Sequence, residues 1–537
     1  MQFTEEQQNA IDLAAKGQSF SLVAPAGSGK SATAVGIGAR LKGSKMLYLV
    51  YNKSAKLDAE EKFRKAGMSW VDVRTTSSIA WRAYADKRNF ESVHGRARAE
   101  QIADAYKARM DPKAQAIPAR VVAQRMKLKD IDFGDNVFLD AYTQAKLAYD
   151  TIERFCNSSR PKITTRDVPL VILGADERAV EAARKHVATL AHKLWLRSIE
   201  PDSNLRFTMN YAFKLVSSDP AKDFGYDVVL VDEAQDSNDA TMQFLRHQKS
   251  AQAILIGDPA QALYAWRGAT DQILRFDGPR LHLTQSFRFG EAVAEEARKH
   301  LAHTGTGVTI KGLPTIDDRV TEGQMPHPDV VLTRSNAGAM EWAMSYLSVG
   351  KRVALVRGKE QIKNLAYAAA ALMKGERPND LELSHFTTWA ELVEFSDEPG
   401  GGQYKPLVRL VQAYGVGKLI DACEKLKDYT PRYPQHDVAI STCHSIKGLE
   451  WHRVQIGDDF REPPPVVMSA DGERNELSAS VPKADLADKT LEPGVIDRHE
   501  AMIHYVAVTR AKRELDRSGL AWIDKYPARE LASVTNG

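Results

Sequence analysis

Three cysteines, Cys156, Cys423 and Cys443, are all that 537 residues contain. An odd, widely spaced set excludes a disulfide framework and favours a reducing compartment. Long hydrophobic runs are also missing: nothing approaches the roughly 20 consecutive apolar residues of a membrane-spanning helix. Neither charge dominates, because 73 Lys and Arg face 70 Asp and Glu, for a formal net charge of +3. A uniformly basic nucleic-acid clamp is therefore excluded. With 43% hydrophobic and 27% charged residues, wholesale disorder is excluded as well. The opening Met1-Gln2-Phe3-Thr4-Glu5-Glu6-Gln7 is polar and acidic, unlike a signal peptide. These absences predict a protein that is neither secreted nor membrane-bound, cytoplasmic or associated with a nucleoid.

What is present is an alternation of short β-branched runs with helical stretches, the pattern of an α/β fold with parallel sheets. Strand candidates in the first half are residues 20–24, 46–51, 71–75, 227–231 and 253–256; a second set is 329–332, 352–356, 438–442 and 454–456. Between residues 80 and 220 the texture changes to long amphipathic segments, such as 138–156 and 176–199, which read as a helical insertion. Pro399-Gly400-Gly401-Gly402 reads as a linker, and Pro463-Pro464-Pro465 opens a polar, exposed stretch. Residues 105–129 carry seven Lys or Arg against Asp111 alone, a density that suits a phosphate backbone or a solvated helical face.

The chemistry begins at Ala24-Pro25-Ala26-Gly27-Ser28-Gly29-Lys30-Ser31, between an apolar run and a helix-forming stretch. Glycines let successive backbone N–H groups approach phosphate oxygens, and the helix N-terminus adds its positive dipole. In such a loop Ala26, Gly27, Ser28 and Gly29 line the phosphates, Lys30 reaches the β/γ-phosphates and the Ser31 hydroxyl ligates Mg²⁺. The general pattern opens with Gly where this chain has Ala24. Its natural partner is the apolar run 227–231 leading into Asp232-Glu233-Ala234-Gln235-Asp236. Carboxylates at the carboxyl end of a strand sit where α/β sheets bind ligands, so Asp232 would hold Mg²⁺ and Glu233 would activate water. Further on, Gly257-Asp258-Pro259-Ala260-Gln261 puts an amide past a strand end, where Gln261 can sense γ-phosphate.

Two other spacings invite alternatives. Cys443-His444 are adjacent, so on a strand they would point to opposite faces and form no nucleophile–base pair. His300 and His303 have a metal-like spacing without a third ligand nearby, which reads as a helical surface pair.

In order, these motifs continue through Leu283-Thr284-Gln285-Ser286-Phe287-Arg288, then Ser441 to Trp451, then Tyr505 to Lys512. The ordered set resembles the superfamily 1 helicases of the UvrD/Rep type over residues 3–512. Tyr51-Asn52-Lys53-Ser54, residues 75–80 and Asn210-Tyr211 are similar to the F-box DNA helicase branch in particular. The resemblance implies two RecA-like P-loop domains, each carrying an inserted, mainly helical subdomain. The expected division is 1–90 plus 200–290, with 91–199 inserted, then 291–361 plus 433–537, with a reduced insertion at 362–432.

By the same resemblance, Gln7 reads the adenine edge and Phe287 replaces the usual adenine-stacking tyrosine. Arg288 and Arg510 reach γ-phosphate, Gln261 couples nucleotide state to motion, and Arg267 belongs to that coupling network. Tyr51, Tyr264 and Trp266 are candidates for stacking on bases, and Asn52, Thr76 and His444 for backbone or sugar contacts. The implied activity is ATP- and Mg²⁺-dependent helicase and translocase action, 3′→5′ on single-stranded DNA and single/double-strand junctions, in repair, recombination or replication alongside proteins of those processes. Alternatives are a DNA-stimulated ATPase that strips proteins from DNA, or a nucleotide-regulated module of a defence or repair complex.

Overall fold

The computed structural model describes residues 2–110, 119–135, 137–170, 175–263, 272–323, 325–357, 359–378, 383, 386–397, 404–430, 435–464, 466–468, 474–476, 491–492 and 494–526. The chain divides into two compact units, one of Met1–Ala24 with Gly29–Leu283 and one of Pro25–Ser28 with Thr284–Gly537.

The first unit is built on six strands: β1 (Phe20–Val23), β2 (Met46–Val50), β3 (Val71–Thr75), β4 (Val228–Val231), β5 (Gln252–Gly257) and β6 (Arg280–His282). They pair in the order β3-β2-β4-β5-β1-β6, every pair parallel. β1, β2 and β4 are buried at every position. Such strands read as unbroken apolar runs because helices cover both faces of the sheet. Phe20, Leu22, Met46, Tyr48, Val228, Leu230, Ile254 and Ile256 form the core, with Ile37 and Phe63 from flanking helices.

Between β3 and β4 the chain makes the helices Thr76–Ala85, Arg88–His94, Arg96–Met110, Ala119–Arg125, Ala141–Cys156, Glu177–Ser198 and Met209–Ser218. Here the basic run is corrected. Arg109 lies beneath the end of Glu177–Ser198, where its guanidinium donates to the carbonyls of Ser198, Glu200 (2.6 Å) and Leu205 (3.0 Å). Arg125 donates to the Asn204 carbonyl, and Lys107 pairs with Asp104. A helix end leaves carbonyls without intrahelical partners, and cations supply the missing donors. Part of this charge therefore holds the insertion together.

The second unit has a seven-stranded sheet made of β7 (Arg319–Thr321), β8 (Val330–Thr333), β9 (Val353–Leu355), β10 (Lys427–Asp428), β11 (Val438–Thr442), β12 (Trp451–Ile456) and β13 (Ala511–Asp516). The order is β10-β9-β11-β8-β12-β13-β7, again parallel throughout. Helices Lys359–Met373, Trp389–Asp397, Lys405–Tyr414 and Val416–Lys425 intervene between β9 and β10. The expected linker, Pro399-Gly400-Gly401-Gly402, lies outside the described residues.

Two expectations change in this unit, and one stretch gains strands. The stretch after Pro463 contains a small antiparallel sheet of Val466–Met468, Arg474–Glu476 and Leu491–Glu492. Cys443–Ser445 is a 3₁₀ turn that follows β11, so strand alternation does not govern Cys443 and His444. His300 is no surface residue: it is fully buried on Glu291–Leu301, with its ring 5.5 Å from that of His504. All three cysteines are buried and unpaired. Among the described residues, no helix is long and apolar enough to cross a membrane.

The Arg109 arrangement predicts that Arg109→Ala lowers stability by about 2 kcal/mol, since hydrogen bonds from a charged group are lost and carbonyls lose their donor. Urea denaturation followed by circular dichroism measures it, and an unchanged midpoint would contradict the assigned role.

Candidate functional site

Parallel strands place all their carboxyl ends along one edge, and β4, β5 and β1 are consecutive neighbours in the first sheet. The glycine-rich loop leaves β1, Asp232-Glu233 leaves β4, and Asp258 to Gln261 leaves β5. Three motifs far apart in sequence thus emerge side by side, at the edge where α/β folds bind ligands.

In the loop, Gly27 and Gly29 have φ of +73° and +83°, and Gly29 caps the helix Lys30–Arg40. Gly27 has a second reason to lack a side chain. A Cβ there would lie 2.5 Å from Ser286 Oγ and 2.6 Å from Arg288 Cβ. Pro25–Ser28, which belongs with the second unit, is held by two bonds: the Ala26 N–H donates to the Tyr505 hydroxyl (3.0 Å), and the Phe287 N–H to the Gly27 carbonyl (2.8 Å). Ser28 is buried and its hydroxyl donates to the Pro25 carbonyl. Lys30 Nζ donates to the Ala24 carbonyl at 3.0 Å, and Ser31 Oγ accepts from Lys62 at 3.3 Å.

Asp232 is half-buried, with both carboxylate oxygens engaged: Oδ2 accepts from the Tyr48 hydroxyl (2.7 Å) and Oδ1 from the Glu233 N–H (2.9 Å). Burial, and then the neighbouring Glu233 charge, raise its pKa, against the Tyr48 hydrogen bond and Lys30. Burial and Asp232 likewise push the Tyr48 hydroxyl well above its usual value. Glu233 adopts the left-handed conformation, φ +51° and ψ +42°. That conformation is uncommon for a residue with a side chain and persists only where its surroundings enforce it. Gln261 is buried and donates through Nε2 to Asp258 Oδ2 at 2.6 Å.

The donor set suits a Mg²⁺–nucleotide. Ser31 hydroxyl and Asp232 carboxylate are hard oxygen donors, and Mg²⁺ is commonly held by one or two carboxylates together with substrate phosphates. The raised pKa of Asp232 beside a second carboxylate is what a divalent cation would relieve.

Gln7 is only 3% exposed and completes a capping box: its N–H donates to Thr4 Oγ1, and its Oε1 accepts from the Thr4 N–H. Phe287 presents a ring 44% exposed. Arg288 pairs with Glu450 (2.7 Å) and donates to the Thr509 carbonyl (2.9 Å). Arg510 is 2% exposed and donates to the carbonyls of Val506 (2.9 Å) and Leu449 (3.3 Å).

The nucleic-acid candidates divide. Tyr51 is 41% exposed just past β2, which excludes core packing. Asn52 is exposed but caps helix Lys53–Lys65 through a bond from the Ala55 N–H. Thr76 is half-buried at the first turn of Thr76–Ala85, where Thr75 is the cap. His444 is half-buried, and burial followed by the charges of Arg334 and His499 lowers its pKa, favouring neutral imidazole. Tyr264, Trp266 and Arg267 lie outside the described residues. Tyr48, Tyr505, Gln235 and Asp258 gained no role from sequence. Tyr48 is hidden in an apolar strand, and the others stood inside motifs whose better-marked members drew the assignments.

Fold and loop together define a P-loop protein with RecA-like parallel sheets. The chain belongs to the UvrD/REP helicase family, whose N-terminal domain model matches residues 3–278. It is 24% identical to F-box DNA helicase protein 1 of Schizosaccharomyces pombe over 551 residues, covering 95% of this chain and 57% of that protein. It is also 24% identical to F-box DNA helicase 1 of Gallus gallus over 541 residues, covering 96% of this chain and 48% of that one. A shorter segment of 94 residues is 35% identical to the ATP-dependent DNA helicase PcrA of Leuconostoc citreum, 16% of this chain and 13% of that one. The chain thus spans about half the length of the two F-box relatives it matches.

Tyr48→Phe removes a donor from the half-buried Asp232 carboxylate, and should lower stability by about 1 kcal/mol. Chemical denaturation of the purified variant reads this directly; a wild-type midpoint would show that the Tyr48–Asp232 bond contributes nothing.

Proposed function

We propose that this chain hydrolyses ATP and uses the cycle to move 3′→5′ along single-stranded DNA, opening duplex at junctions. The observation that carries the reading is the emergence of Lys30, the Asp232-Glu233 pair and Gln261 at the carboxyl ends of three adjacent strands. In this reading residues 1–90 with 200–290 form the first ATPase domain and 291–361 with 433–537 the second, with insertions at 91–199 and 362–432.

Lys30 leaves the Ala24 carbonyl for the β/γ-phosphates, while loop N–H groups and the start of Lys30–Arg40 face their oxygens. Ser31 and Asp232 would hold Mg²⁺, which would supply positive charge against the phosphate oxygens. Glu233 orients and deprotonates the attacking water, Gln261 senses γ-phosphate, and Arg288 and Arg510 stabilise charge developing on it. Phe287 offers its exposed face to adenine, and Gln7 its edge contact. Of the three stacking candidates, Tyr51 lies among the described residues and is exposed, and stacking grips any sequence at about 1–3 kcal/mol per base. Direction rests on family membership and on the helices that intervene before β10.

Lys30→Ala should weaken ATP binding and abolish hydrolysis. Glu233→Gln should retain ATP yet lose turnover by a factor on the order of 10² or more, as expected of a lost general base. Fluorescent-nucleotide titration beside a DNA-stimulated ATPase assay separates the two, and normal turnover in either variant would remove the site assignment. Polarity is read from partial duplexes bearing one 3′ or one 5′ single-stranded tail. Displacement is expected from the 3′-tailed substrate; efficient displacement only from the 5′-tailed one overturns the direction.

A further inference from the structure

Gln235 joins the two halves of the proposed hydrolytic site. We propose that it is a positioning residue, which sets the carboxylate of Glu233 and ties it mechanically to Gln261; this rests on the roles given to those two residues above. Gln235 Nε2 donates to Glu233 Oε2. At the other end of the same amide, Gln235 Oε1 accepts from the Asp258 backbone N–H at 3.0 Å. Asp258 then accepts through Oδ2 from Gln261 Nε2 at 2.6 Å and through Oδ1 from the Ala260 N–H at 3.1 Å. The path from Glu233 to Gln261 is therefore an unbroken series of three hydrogen bonds, through the segments that follow β4 and β5.

Burial gives the series its stiffness. Gln235 and Asp258 are fully buried and Gln261 nearly so. The two bonds at Asp258 are strengthened in such surroundings, while the bond to the half-buried Glu233 lies at the edge of the site. The amide can face only one way: the Asp258 N–H donates and so needs the amide oxygen, leaving the NH₂ group for Glu233. Space is equally defined. A Cβ on Gly257 would stand 2.0 Å from Gln235 Oε1 and 2.7 Å from Ile273 Cδ1. Glycine at the end of β5 is thus required for the amide to sit where it does.

The backbone of Glu233 completes the case. Its left-handed conformation is fixed by its own N–H donating to Asp232 Oδ1 and by its carbonyl accepting from the Asp236 N–H at 2.9 Å. With the main chain held, the remaining freedom of Glu233 lies in its side chain, and Gln235 restricts that. A displacement of Gln261 on meeting γ-phosphate pulls on Asp258 and, through Gln235, re-aims the carboxylate that activates water.

The test uses the full chain with ATP, Mg²⁺ and a single-stranded DNA oligonucleotide. Gln235→Glu keeps size and shape but turns a bare oxygen toward Glu233. It should lower kcat by a factor on the order of 10², the cost of misplacing a reacting group by about 1 Å. KM for ATP should stay within about twofold, because ground-state binding is untouched. Gly257→Ala, which displaces the amide by contact, should show the same split. Combined with Gln261→Ala, Gln235→Glu should lose less than the product of the two single losses, because the residues act in one series. A wild-type kcat in Gln235→Glu, a change confined to KM, or multiplicative losses would overturn the proposal. Wild-type protein without ATPase activity, or a Lys30→Ala variant that keeps it, would instead remove the underlying reading of the site.

Discussion

Parallel pairing of β4, β5 and β1 is the constraint on which the rest of the site depends. Neighbouring strands lie about 4.8 Å apart, so three consecutive strands put three loop origins within about 10 Å of one another. The pairing is itself a product of burial: Val228 to Val231 and Ile254 to Ile256 are covered on both faces, and any register that exposed them would forfeit most of the core. Chemistry at the edge is therefore positioned by apolar residues that take no part in it. The same logic makes the second unit a seven-stranded parallel sheet, although its outer strands are shorter and more polar.

Within that frame, two glycines are fixed by close contact, and Gly27 also by its left-handed backbone. Gly27 and Gly257 stand where a methyl group would strike a neighbour at 2.5 Å or closer. Glu233 adopts a similar backbone region without being glycine, which is tolerable because its N–H and carbonyl are both engaged.

Much of this was legible in the sequence. The apolar runs at 20–24, 46–51, 227–231 and 253–256 announced the central strands because strands buried on both faces show no alternation. The glycine loop and acid pair were legible because phosphate and metal chemistry demand those residue types. What escaped depends on partners distant along the chain. β13 is written Ala511-Lys512-Arg513-Glu514-Leu515-Asp516, and its charges conceal a strand whose ends are buried between β12 and β7. His300 looked like a surface histidine because nothing nearby in sequence announces His504. The basic run looked like a phosphate contact or a solvated helical face because the carbonyls that bind Arg109 lie some 90 residues downstream. The family match covers the motifs within residues 3–278, whereas the hydrogen bonds joining them are properties of the folded chain.

The cysteines have a practical consequence. Burial drives the thiols of Cys156 and Cys443 far from thiolate at neutral pH and raises that of Cys423 as well. Since thiolate is the reactive form, the native chain should be nearly inert to maleimides and mild oxidants. Its own background is therefore low enough for site-specific labelling without first removing the natural cysteines. A single thiol introduced at an exposed helix position would then carry a dye alone, with the natural cysteines left in place.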